Sequence, residues 1–498
     1  MAEAWERGAG NRREQPEEIM QRGLRLMLLD AGLISAMARL TGTGMVIVGF
    51  ALAMGASEFE IGLLTAGPML GGMGQLLTNR ILQAWGSRKK VCVRMLTWGR
   101  LLKLLPVLLP LMPLPFVRNH RVAWLILIIS GSSAFGAIGG IARLAWLADL
   151  VPERIRGRFF ANRNLIVDAV GVSVLLVGGW FIDGWRGHYG GQAIGGFQVV
   201  MAVGVLFGGI SLLLLRIVPE PPMTRGREDT GFLWTFALPF RDPGFRKFIA
   251  FRVLWSFAVG FAGPFFYVYM IKDLGISYAL IGLYTNMGML ASLYCVRFWG
   301  QLTDRFGNKP VLSVATFAKA IFPFLWVFAS PTRYIYLGLV HLVRAFNSAQ
   351  KLAELNMALK LSPEEDKAAY LSGYRALTRL CSAVSPMIGG ALATVIAGAA
   401  LELPLLTLRG LHFMFILSGI LRLSSLLPFK AIREPHVRTV RYMIRVLRQV
   451  EGVSPTDGVN SFLQFWFAPV RDLAQMVRHG GRALRASIWG SGDPNRKS

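Results

Sequence analysis

Stretches of roughly 20 to 27 predominantly apolar residues recur near 27–52, 60–83, 91–115, 122–147, 164–183, 193–217, 247–271, 279–300, 310–330, 334–359, 371–399 and 408–429. Each is long enough to cross a ~30 Å hydrocarbon layer as a helix, which satisfies its own backbone polar groups where water is absent. About twelve spans predict an all-α polytopic membrane protein. The first run is too long for a signal-peptide core and lacks a small-residue cleavage site, so it reads as retained. Charged residues make up only 16% of the chain, against about 25% in ordinary soluble domains. A formal charge of +26 would suit nucleic acid if the cations formed a patch on a soluble domain, but they lie between apolar runs, so no nucleic-acid partner is expected. Cys92, Cys295 and Cys381 are far apart and each sits inside an apolar run, which argues for small buried hydrophobes and against disulfides or a metal site.

The cations orient the chain. Alternate connections carry Arg88, Lys89 and Lys90; Arg154, Arg156, Arg158 and Arg163; Arg225, Arg227, Arg241 and Arg246; Arg305 and Lys309; and Lys360 and Lys367, while the intervening ones are poor in cations. The positive-inside bias makes the first set cytoplasmic, and with an even number of spans both termini are cytoplasmic too. The expected location is a bacterial cytoplasmic membrane.

The chain also repeats itself. "GASEFEIGLLT" from Gly55 matches "GISYALIGLYT" from Gly275 at a separation of 281 − 61 = 220, and Gly307 follows Gly86 at 307 − 86 = 221. "LVPERIRGRFF" near Pro152 faces "LSPEEDKAAYL" near Pro363 at 363 − 152 = 211, and Gly389-Gly390 follows Gly178-Gly179 at the same interval. The domains expected are a tail at 1–26, a six-helix half at 27–217, a linker at 218–246, a second half at 247–430 and a basic tail at 431–498. Duplications of this size build many transporter folds, with the substrate site between the halves near mid-membrane.

Gly300-x-Leu302-x-Asp304-Arg305-x-Gly307-Asn308-Lys309 resembles the signature loop between the second and third helices of a half in the major facilitator superfamily, and "DLVPERIRGRFF" resembles its loop between the fourth and fifth. The resemblance covers nearly all of 27–430 and implies a secondary transporter that works by alternating access. It implies a cytoplasmic latch. Asp304 would face the positive end of the fifth helix near Arg163 and Asn164. Gly300 would allow close approach and Gly307 a tight turn, and Arg305 and Lys309 would pair with Asp149 or Glu153. The first-half copy keeps Gly86 but has Gln83, Ala84 and Asn79 where the second has Asp304, Arg305 and Gly300, so the latch should be asymmetric. The family's antiporter signature is incomplete, with Gly178-Gly179 but no preceding proline.

Ionisable groups at membrane depth are functional candidates by default. Arg39 lies near the middle of the first span, and Gly32, Ser35, Ala36, Gly42 and Thr43 fall within about 60° of it on a helical wheel. Asp30 projects to the opposite side. In the tenth span His341, Arg344, Asn347, Ser348, Lys351 and Glu354 share a sector of about 140°, and Lys351 and Glu354 are spaced to pair. Substrate-binding candidates are therefore Arg39, Ser35, Thr43, Arg344, Asn347, Lys351 and Glu354. Arg39 and Arg344 come from opposite halves, an arrangement suited to clamping an anionic solute. Asp30, Asp168, His341 and Glu354 are candidates for coupling to a proton.

Beyond Phe429, Arg438, Arg441, Arg445 and Arg448 form a stripe opposite Val437, Val440, Ile444 and Leu447, expected to lie as an amphipathic helix on anionic inner-leaflet lipids. No nucleotide-binding loop, cofactor motif or converging catalytic set is visible, so the expected function is non-enzymatic: transport of a small solute by a monomer. The rival is a non-transporting scaffold on the same fold that recruits partners through its basic tail.

Overall fold

A computed structural model describes residues 16–190, 194–221, 240–363, 366–403 and 406–432, with 434 and 443. The expected amphipathic tail and most of the linker lie outside the described residues. The first half comprises α1 (Pro16–Thr41), α2 (Met45–Ala53), α3 (Glu58–Gly71), α4 (Thr78–Trp85), α5 (Arg88–Leu108), α6 (Pro115–Asn119), α7 (Arg121–Leu150), α8 (Glu153–Tyr189) and α9 (Ile194–Ile217). The second comprises α10 (Pro243–Ala262), α11 (Phe265–Val268), α12 (Tyr278–Tyr294), α13 (Val296–Phe306), α14 (Asn308–Trp326), α15 (Leu337–His341), α16 (Phe346–Leu361), α17 (Lys367–Val395), α18 (Leu411–Ser424) and α19 (Leu426–Lys430). Among the described residues the named strands form one hairpin, β1 (Ala400–Leu403) with β2 (Leu406–Arg409), between α17 and α18, and the other named elements are helical.

Helix occupies every expected apolar run, yet only seven stretches are long and apolar enough to cross a membrane on that test, and the bent pair α12–α13 makes an eighth. The other four runs fall short for a physical reason. α3–α4 is interrupted by a 3-10 turn at Gly72–Leu77 and α15–α16 by one at Leu342–Ala345, while α5 carries Arg100 and Lys103 and α14 carries Lys319.

The bends hold the halves apart on one side. The second span breaks at Gly72–Leu77, and the eighth, its repeat partner, bends by 43° at Cys295. Before these breaks α3 packs along α17 and α12 along α8, joining the halves; after them α4 and α13 pack within their own halves. The apolar core follows suit. One cluster containing Met45, Leu175, Phe265 and Tyr278 crosses between the halves. Nearer the basic connections the core divides, with Val91, Trp146 and Leu215 in the first half and Phe251, Leu312 and Met357 in the second.

Each half closes its basic side with the same clasp. Glu220 accepts hydrogen bonds from Ser87 Oγ at 2.7 Å and the Lys89 amide at 3.0 Å, at the start of α5. Glu434, 434 − 220 = 214 residues on, accepts from the Lys309 amide at 2.7 Å and Asn308 Nδ2 at 2.9 Å, at the start of α14. A carboxylate there meets unpaired amides and the positive helix end. Burial alone would raise the Glu434 pKa, but the hydrogen bonds from Asn308, the Lys309 amide and Lys360 outweigh it and hold the group below the ordinary 4.5. A lowered carboxylate contributes stability that is present above its unfolded pKa and lost as pH falls through the folded value. The melting temperature should therefore fall between about pH 5 and pH 3, and Glu434→Gln should flatten that limb. An unchanged acid limb in the variant would remove the clasp from the account.

Candidate functional site

Gly42 and Gly44 interrupt the first span, leaving Arg39 in the last turn of α1, where exposed carbonyls favour a cation. Its guanidinium crosses α8 at Gly171, where an added Cβ would stand 3.0 Å from Nε, and donates to Met289 Sδ of the other half at 3.3 Å. Asp168, one turn before Gly171, is half-buried and lies in the field of both Arg39 and Lys351. Lys351 is exposed. Three candidates from three helices and both halves thus gather at the parting. Thr43 is exposed in the break, while the Ser35 hydroxyl donates to Val167 O at 2.6 Å and so braces α1 against α8.

Arg344 faces elsewhere. It borders a cavity of about 240 Å³ within the second half, together with His341 and Asn347. Arg39 is not part of that lining, so the two arginines do not clamp one ligand in this conformer. Gly288 makes room for Arg344, since a Cβ there would approach its Cδ to 2.5 Å. His341 donates from Nδ1 to Leu337 O at 2.7 Å and packs against the Tyr284 and Trp326 rings, a structural placement for a residue expected to couple protons.

Other buried charges form two mirrored knots. In the first half Asp30 of α1 pairs with Arg143 of α7 at 3.0 Å and accepts from Ser211 of α9, to which Arg100 of α5 also donates at 3.0 Å. In the second half Arg252 of α10 pairs with Glu354 of α16, which also accepts from Gln350. Lys319 of α14 donates to Gln350, and Arg422 of α18 donates to Lys319 O at 3.1 Å. The four corners correspond at 252 − 30 = 222, 354 − 143 = 211, 319 − 100 = 219 and 422 − 211 = 211, matching the repeat register. The polarity is reversed: acid on the first span and base on the fourth, then base on the seventh and acid on the tenth.

Several expectations are corrected here. Glu354 pairs with Arg252 across helices and not with Lys351 on its own, because the α10 guanidinium offers a buried partner whereas Lys351 is exposed. The latch, by contrast, is simply open in this conformer: Asp149 pairs with Arg88 at 2.5 Å, Glu153 with Arg156 at 3.5 Å, and Lys309 Nζ donates to Lys430 O at 3.2 Å, each within its own half. Asp304 and Arg305 are exposed. The fifth span begins at Glu153, so Arg163 and Asn164 are not its N-terminus. Gly300 has only Leu352 Cδ2 at 4.0 Å and meets no close approach, whereas Gly307 and Gly86 have φ of 92° and 62°, values that favour glycine.

On the face opposite the basic connections the halves are bound. Asp183 at the end of α8 accepts from the Tyr278 and Ala279 amides at 2.9 and 2.7 Å, at the start of α12. Lys272 pairs with Glu58 at 2.6 Å. Gly179 and Gly390 admit backbone contact across the interface. Sequence reading passed over Asp183, Arg252, Lys319 and Arg422; the last three are lone cations inside apolar runs, a signal the default rule for membrane charges would have caught.

The family model described as Major Facilitator Superfamily matches residues 253–441. No curated protein sequence matches the chain. Among solved structures, the chain is similar to the nucleoside transporter NupG, with 13% identity and a TM-score of 0.65 over 83% of this chain and 100% of that one. It is similar to a D-xylose-proton symporter at 16% identity and a TM-score of 0.61, covering 84% and 98%. A bacterial homologue of the iron transporter ferroportin, in an inward-facing state, gives 15% identity and a TM-score of 0.60, covering 84% and 99%. Identities this low speak for the shared fold alone.

Proposed function

We propose that this chain is a secondary transporter of small organic anions within the major facilitator superfamily, a reading supported by the family model that matches residues 253–441 and by the shared fold. The positive-inside bias makes the basic face cytoplasmic, so the parted conformer described above is the inward-facing one. Its two hands are then the clasp of Asp183, Glu58 and Lys272, closed here on the outer side, and the loop around Asp304 and Arg305, which closes when the outer clasp opens. Rocking one half against the other exchanges these contacts around Arg39, Asp168 and Lys351.

The observation that supports an anionic cargo is the excess of cations where solute can enter. Arg39 and Lys351 both act on the carboxylate of Asp168, and among the described residues no carboxylate lines the second-half cavity. Asp168 is the coupling group best placed to exchange a proton, because Asp30 and Glu354 are committed to ion pairs and His341 to its own helix. Uptake by vesicles containing the purified protein, with an imposed proton gradient and a panel of carboxylates, phosphate esters, sugars and nucleosides, tests the reading. Accumulation of anions only, reduced at least tenfold by Arg39→Ala, is expected. Movement of neutral solutes alone, or none across the panel, would overturn it.

A further inference from the structure

The cavity of about 240 Å³ lies inside the second half, bordered by α10, α11, α12, α14, the turn at Leu342–Ala345, α16 and α18. Three of its lining residues are cations, Lys319, Arg344 and Arg422, and the rest include the rings of Phe266, Phe322 and Trp326. Arg422 is 4% exposed and Trp326 is fully buried. Two donors there, Arg422 Nε and Trp326 Nε1, have no acceptor among the described protein groups. Arg344 has neither an ion-pair nor a hydrogen-bond partner among the described residues. A guanidinium at membrane depth carries its charge permanently, and leaving it uncompensated is costly. Glu354, the nearest carboxylate of the knot, is engaged by Arg252 and Gln350.

We propose that this cavity is an anion-binding site separate from the Arg39 cluster, taking a compact ligand with one carboxylate or phosphate group on a flat, apolar, ring-sized body. The acid group supplies the acceptors that Arg422, Arg344 and the Trp326 indole lack, and the body lies among the rings. The volume is below the roughly 300–1,000 Å³ of drug-sized pockets, which excludes oligosaccharides and peptides of several residues. Two of the cations come from α14 and α18, helices whose first-half counterparts carry Arg100 and Ser211 in a knot with Asp30, so the site is confined to one half. It rests on the transport reading above but fails separately from it.

The test measures binding to the purified full chain in detergent by tryptophan fluorescence and calorimetry, with benzoate and phenyl phosphate as probes and benzamide as the neutral control. The acids should bind and benzamide should not. Arg344→Gln and Lys319→Gln should each weaken benzoate at least tenfold, with Arg422→Leu as a third variant and the melting temperature recorded for all. Folded Arg344→Gln and Lys319→Gln proteins that bind benzoate as the parent does would overturn the site while leaving anion transport standing, above all if Arg39→Ala then abolishes binding. Failure of both acids to bind would overturn the site and leave the uptake panel to decide anion transport. A short-chain phosphatidate that displaces benzoate through the same cations would assign the site to a lipid headgroup and overturn the solute ligand.

Discussion

Glu354→Leu should lower the melting temperature of the detergent-purified protein more than any other single change considered, by the equivalent of about 3–5 kcal/mol, because it strands Arg252 without its counter-charge. The side chains of both partners are largely buried, at 14% and 12% exposure, so water cannot step in fully for the lost carboxylate. Gln350 loses an acceptor in the same stroke. The companion Arg252→Leu with Glu354→Leu should regain most of the loss, since an apolar pair of similar volume has no charge to desolvate. A single variant as stable as the parent, or a double variant worse than the single, would show that the knot does not hold α10 to α16.

Asp183→Ala should change the conformational balance rather than the stability of either half. Its carboxylate accepts two amides at the start of α12 from across the interface, contacts that the proposed rocking of the halves would break. Hydrogen bonds to a charged acceptor contribute about 1.5–3 kcal/mol each. Losing them should move the inward-to-outward ratio by at least tenfold toward outward-open, given that 1.4 kcal/mol is a factor of ten. Spin-label distances between the outer ends of the two halves would report this as a new long-distance population. Distances identical to the parent's would place the closing energy elsewhere, in the apolar core around Tyr278 or in the Lys272–Glu58 pair.

The positions of the spans were legible because membrane helices advertise themselves by length and hydropathy, and the duplication because glycines at turns and close contacts keep their spacing. What the sequence hid was partnership. Lys351 and Glu354 are three apart on one helix, which made a local pair the natural expectation, yet a carboxylate's partner is decided by what tertiary packing buries beside it, here Arg252 more than a hundred residues away. The repeat register held the missing information, because Arg143 and Glu354 stand at the same interval as the matched glycine pairs, 211, and Asp30 and Arg252, at 222, fall within two residues of theirs. The bends were half visible: "GGMG" at 71–74 signals the first, while Cys295 gives no comparable sign of the second. Latch partners could not be read at all, since a contact that forms in one conformer and breaks in the other leaves the same residues on the page.

The reversed polarity of the two knots bears on how such a chain avoids confusing its own halves while it is being inserted. Related helix hairpins with similar apolar surfaces can dock on the wrong sibling. Were the first span to settle against the tenth, Asp30 would confront Glu354; were the seventh to settle against the fourth, Arg252 would confront Arg143. Each mistaken match sets like charges together in a medium that screens them poorly, and each correct one joins opposites. The inversion thus works as an address, letting two ancestral copies share one membrane and one architecture while remaining unable to trade parts.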